Sequence, residues 1–160
     1  MRRTVAILHY SVPPVVGGVE EVILAHSRLF LEAGYPVTII AGRGEARTLP
    51  AGVDYIQVPE INNENEVIEG ISSKLEQGRV PDSFNALVDV IEKKLKPLLD
   101  GFDRVILHNV LSKHFNLPLT AALIRLVQQG DLRNSIAWCH DFSWTSPNSR
   151  KKVFPGYPWD

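Results

Sequence analysis

The chain contains a single cysteine, Cys139, so no internal disulfide can hold it together and stability must come from packing and hydrogen bonding. A lone thiol suits a reducing compartment, and a cytoplasmic location is the expectation. Long apolar runs are missing as well. Residues 5–8 (VAIL), behind Arg2 and Arg3, are interrupted by His9 and are too short for a secretory leader or a membrane span. Peripheral contact with a membrane surface stays open, because it needs no spanning helix. Charge of one sign is not concentrated anywhere: the net charge is −1, and the longest basic run is Arg150-Lys151-Lys152. That run reads as a solvated face, and no nucleic-acid partner is expected. His, Cys and carboxylate residues do not recur at ligand spacing, and Asp100 and Asp103 do not form a closely alternating acidic pair, so no metal is expected. No cofactor is expected either. The G-x-G-x-x-G fingerprint is absent after the first apolar run, and Ala41-Gly42 stand where an acidic residue would close the second, which argues against a dinucleotide-dependent oxidoreductase.

What is there is an ordinary globular composition, 44% hydrophobic and 22% charged over 160 residues, enough for one domain with a real core. Its most informative feature is Gly17-Gly18. Residues 4–10 (TVAILHY) are apolar nearly throughout, as a parallel strand covered on both faces requires. The glycine pair follows a proline-bearing loop and opens a helix over residues 19–33. Glycine lets backbone approach a ligand closely, and the helix N-terminus presents free N–H groups that suit a phosphate or another anion. Val19, Val22, Ile23, His26, Leu29, Phe30 and Ala33 keep one helical face, and Gly34 ends the helix.

Further strands are expected at residues 35–41, 53–58, 104–108 and 135–139. Residues 66–77 suggest a short helix in a polar stretch. A stronger one follows Pro81, capped by Asp82 or Ser83, and Asn116 can cap another that stops at Gly130. Strands alternating with helices predict a Rossmann-like, doubly wound α/β domain with a parallel sheet in the order 3-2-1-4-5. The loop at residues 13–18 and His140 should then share one sheet edge. Residues 142–160 are aromatic and proline-bearing, without the sixth strand that completes such domains. The end at Pro158-Trp159-Asp160 therefore reads as open, and the domain at 1–160 as truncated at its C-terminus.

Three stretches resemble the N-terminal domain of the family 4 glycosyltransferases, retaining enzymes of GT-B architecture with two Rossmann-like halves. They are Gly17-Gly18-Val19-Glu20 with its helix and the following PVTII strand, VILHN at residues 105–109, and Trp138-Cys139-His140-Asp141. The resemblance implies the acceptor-side half of an enzyme that moves a sugar from a nucleotide-sugar donor to an acceptor. His140 would steady charge near the anomeric carbon as the catalytic candidate. Gly17 and Gly18 would approach the donor's diphosphate or sugar, while Asn109 and Asp141 would contact sugar or acceptor hydroxyls. The partners implied are the donor, an acceptor and a nucleotide-binding C-terminal domain that these residues do not include. The isolated chain is accordingly expected to be inactive.

The remaining aromatic and imidazole side chains have plainer readings beside these. His26 reads as a packing residue and His114 as part of a solvated loop. His9 and His108, at strand ends, are divided between structural hydrogen bonding and a site role. Trp138, Trp144 and Trp159 read as core or docking surface. A non-catalytic α/β binding module, or a subunit that completes a site with a partner, would have the same fold and is the alternative function.

Overall fold

Five strands form one parallel sheet in the computed structural model, which describes residues 3–159. Met1, Arg2 and Asp160, two of which entered the reading of the chain's ends, lie outside the described residues. The strands are β1 (Val5–Ser11), β2 (Val37–Arg43), β3 (Val53–Gln57), β4 (Arg104–His108) and β5 (Ser135–Trp138). Their order is β3-β2-β1-β4-β5, as expected from the sequence. Every neighbouring pair is parallel, so all five C-terminal ends lie at one edge. The helices are α1 (Gly18–Glu32), α2 (Glu66–Leu75), α3 (Ser83–Leu99), α4 (Leu117–Gln129) and the single turn α5 (Pro147–Arg150).

The central strand explains the two-layer core. β1 is buried at every position, and its side chains alternate between faces. Ala6, Leu8 and Tyr10 join the larger cluster, which holds Phe84, Val88, Ile91 and Leu95 of α3 and Leu119, Leu123 and Leu126 of α4. Val5 and Ile7 face the other way, with Ile39, Ile106 and Ile23 of α1. Side chains as fully buried as Ile7, Ile23 and Ile39 each contribute about 1.5–3 kcal/mol. The continuous apolar run at the sheet centre follows from this double coverage.

Local signals fix the helix ends. Asn116 caps α4, its side-chain oxygen accepting from Leu119 N at 3.0 Å, and Gly130 closes it in the left-handed region at φ 79°. On α1 the buried stripe differs from the apolar one. It is Glu20, Ile23, Leu24 and Ser27, whereas Leu29 is exposed. Two polar residues can lie inward because each is bonded: Ser27 donates to Ile23 O at 2.8 Å, and Glu20 accepts from Ser11 at 2.7 Å.

β5 stops one residue short of the expected strand, at Trp138, and forms the sheet edge, with Ile136 and Trp138 both exposed. Among the described residues no sixth strand follows; turns and α5 lead instead across the α4 side of the sheet. No helix among the described residues is long and apolar enough to cross a membrane.

Candidate functional site

The site takes shape where β1, β4 and β5 end side by side. The turn carrying Gly17 and Gly18 follows β1, Asn109 follows β4, and His140 and Asp141 follow β5. Parallel pairing alone brings these three segments to one edge, where open α/β sheets receive ligands.

The loop after β1 is held by its neighbours. Val12 N donates to Arg43 O at 3.0 Å, and Pro13 O accepts from Glu45 N at 2.9 Å and from Thr48 Oγ1 at 2.7 Å. Gly17 is the N-cap of α1 with extended backbone, and Gly18 is its first residue. A side chain on Gly17 would run into the Glu20 carboxylate, whereas a Cβ on Gly18 would meet nothing within 4 Å. Gly18 does not need the left-handed region, so its openness is spatial.

Glu20, which the sequence places in the resembling stretch without a role, has one here. It stands three positions after the N-cap, where an acidic side chain folds back over the first turn. Its carboxylate is buried beside Gly17, accepts the Ser11 hydroxyl, and lies 3.8 Å from His9 Nε2. The positive end of the α1 dipole is thus already met by an anion of the chain itself.

Asn109 organises the opposite wall. It sits in the left-handed region at φ 61°, a conformation asparagine tolerates better than most residues, and it is buried. Its side-chain Oδ1 accepts from His140 N, Asp141 N and the Ser112 hydroxyl, each at 3.1 Å. Its own N–H donates to Trp138 O at 2.9 Å. The amide is therefore spent on the backbone that carries His140 and Asp141, while its Nδ2 lies 3.5 Å from Asp141 Oδ2.

Four histidines converge on the α1 face. His108, the last residue of β4, follows Ile106 on that face and is fully buried. Its Nδ1 lies 3.1 Å from His140 Nε2, and its Nε2 lies 3.3 Å from His26 Nδ1. Burial first, then the nearby imidazoles of His26, His140 and His9, push its pKa down to about 3. His9 donates its Nδ1–H to His108 O at 2.8 Å. Burial also lowers the pKa of His9, against the opposing pull of that bond and of Glu20. His26 is half-buried, with its ring edge-on to Trp138 at 4.5 Å between centroids. These imidazoles are neutral at neutral pH where their pKa is lowered, and they suit hydrogen bonding and proton transfer better than anion binding.

His114 requires a correction. It is buried, not solvated: its backbone N and its Nδ1 each lie 3.1 Å from the Ser143 hydroxyl. That residue comes from 29 positions further along the chain, a cover that the local sequence does not announce. His114 also lines a cavity of about 470 Å³, together with Lys113, Leu117, Ala121, Trp144 and Trp159. Among the described residues no group of three or more His, Cys, Asp or Glu is placed to hold a metal ion.

No family model matches the chain, and no curated protein matches it. Among solved structures, the crystal structure of TcCGT1 in complex with UDP is similar over 91% of this chain and 30% of that one, at 9% identity and a TM-score of 0.43. The chain therefore spans less than a third of the length of that protein.

Proposed function

We propose that the chain is the acceptor-side half of a GT-B glycosyltransferase, moving a sugar from a nucleotide-sugar donor to an acceptor hydroxyl with retention. A second, nucleotide-binding domain completes the cleft in this reading. The observation that carries it is the shared edge: the Gly17-Gly18 turn follows β1 and His140 follows β5 at the same end of the sheet, with the His140 backbone clipped by Asn109. The resemblance of residues 17–20, 105–109 and 138–141 to the family's pattern supports the same placement.

Electrostatics narrows which part of the donor meets the glycine turn. A phosphate charge about 4 Å from the Glu20 carboxylate is repelled by about 4 kcal/mol at an effective dielectric of about 20. The helix N-terminus returns only about 0.3–2 kcal/mol. Repulsion wins beside Gly17, whose open side the Glu20 carboxylate fills, so in this reading the transferred sugar, not the diphosphate, meets the turn from the open side of Gly18. His140 faces the anomeric carbon, Asp141 is free to accept a sugar hydroxyl, and Asn109 positions both. In this reading the leaving diphosphate is stabilised by the second domain, since Arg43, the basic residue that ends β2 at this edge, is already paired with Glu64.

The test is a titration of the ¹⁵N-labelled chain with a panel of nucleotide sugars, followed by turnover assays. Resonances of Gly17, Gly18, His140 and Asp141 should move with the matching donor, and these residues alone should transfer no sugar. Clear turnover lost on His140→Ala would instead place a complete site within the chain. If no donor at millimolar concentration moves any of the four, the transferase reading falls and the non-catalytic module replaces it.

A further inference from the structure

One histidine with both ring nitrogens on other histidines is an unusual use of buried space. Neutral imidazole has one N–H and one lone pair. His108, enclosed between His26 on α1 and His140 after β5, must therefore donate to one neighbour and accept from the other. The three rings form a head-to-tail chain with a single polarity, and reversing that polarity moves one proton from end to end. Both end rings are only half-buried, whereas the middle one has no solvent contact. Among the described residues, His9 of β1, whose N–H is committed to His108 O, and Glu20, which lies beyond His9, are titratable groups beside the chain, and Asp141 follows His140 with its Oδ2 3.5 Å from Asn109 Nδ2. Neither interrupts the two links. A hydrogen bond to a backbone carbonyl would satisfy a structural histidine equally well, as His9 shows; the continuous N–H···N path needs a different explanation.

We infer that His26, His108 and His140 form a proton relay between the sheet edge that carries the candidate site and the half-buried His26 ring, where α1 meets Trp138 of β5. Its use in sugar transfer rests on the reading above; its existence does not. In that use, the acceptor O–H bond breaks as its oxygen bonds the anomeric carbon, and the bond from that carbon to the phosphate oxygen breaks, the electron pair leaving with the nucleoside diphosphate. The acceptor's proton bonds to His140 Nδ1. The proton on His140 Nε2 passes to His108 Nδ1, that on His108 Nε2 passes to His26 Nδ1, and His26 Nε2 releases one to water. Return passage after product departure, with a proton entering at His26 and one leaving at His140, restores the starting polarity. His108 acts through its neighbours and is a relay residue, not a catalytic one.

The test needs no substrate. Long-range ¹H–¹⁵N spectra of the labelled chain at neutral pH report which ring nitrogens carry protons, and ¹⁵N–¹⁵N couplings across hydrogen bonds report the links. The relay requires one proton in each link, a neutral His108, and measurable coupling across both. It also requires the buried His108 N–H to exchange with water through the chain. His26→Phe keeps the edge-on contact with Trp138 but cuts the outer link, and exchange should slow about tenfold. His26→Gln restores a hydrogen-bond partner that cannot pass a proton, so exchange should stay slow. Wild-type exchange in either variant, a charged His108, or a link with two protons or none would overturn the relay. An intact relay in a chain that responds to no nucleotide sugar would overturn the transferase reading alone. A donor-responsive His140 without the links would overturn the relay alone.

Discussion

Replacing Asn109 by alanine should unlock the wall that carries His140. The substitution removes one acceptor oxygen that serves three donors, His140 N, Asp141 N and the Ser112 hydroxyl. A typical intramolecular hydrogen bond contributes about 0.5–1.5 kcal/mol net. His140 and Asp141 are near solvent, so water can take over part of their bonding, and the low end of that range applies to each. Alanine must also hold φ near 61°, a left-handed conformation that costs roughly 1–2 kcal/mol for a residue without a local polar side chain. Together these give a loss of about 2.5–4.5 kcal/mol, or a fall in Tm of roughly 5–18 °C for a domain of this size. Asn109→Gly separates the two contributions, because glycine takes the backbone conformation freely; it should recover about 1 kcal/mol of the loss. Thermal and urea melts supply the stability, and hydrogen exchange at the His140 and Asp141 amides supplies the local consequence. Both amides should lose protection in both variants. Wild-type melting of Asn109→Ala, with unchanged protection at these amides, would refute the clip.

Acid should destabilise the fold well above the range in which carboxylates protonate. Folded His108 resists protonation until about pH 3, whereas the unfolded ring binds a proton below about 6.5, so stability is full above pH 6.5 and declines as pH falls towards 3. The loss from this ring is on the order of 4 kcal/mol. His9 and His26, whose pKa values are also lowered, add to it with the same sign. Urea midpoints measured from pH 7.5 to 4 should fall steadily, and His108→Phe should flatten the slope; a midpoint that rises on acidification contradicts the neutral, buried ring. The glycine turn offers a paired test by melting and donor titration. Gly18→Val, facing open space, should leave the melt unchanged while abolishing donor-induced shifts, whereas Gly17→Ala should lower the melt by displacing Glu20 from Ser11. Equal effects at the two positions would remove the distinction between open and occupied sides of the turn.

The sheet could be read from the sequence because its signals are local, and the site resisted reading because its signals are not. β4 falls on the expected residues, and α4 starts and stops at a cap and a left-handed glycine, both encoded within a few positions of the helix ends. β5 ended early because an edge strand has no second neighbour to extend its pairing beyond His108↔Trp138. Glu20 escaped notice because a buried carboxylate cannot be told from a solvated one until Ser11 is brought beside it. His114 reads as solvated in the sequence for the same reason, its cover arriving from Ser143. The histidine chain lies between these extremes. His108 is two residues after Ile106 and His9 two after Ile7, and strand alternation puts each histidine on the face of the isoleucine before it. His26 is three residues after Ile23, the buried α1 residue of the same cluster, so helical spacing turns it towards that face too. Parity alone thus brings three imidazoles under α1. What parity cannot supply is the return of the chain after β5, where Asn109 holds the backbone of His140 and so places the fourth ring against the buried one.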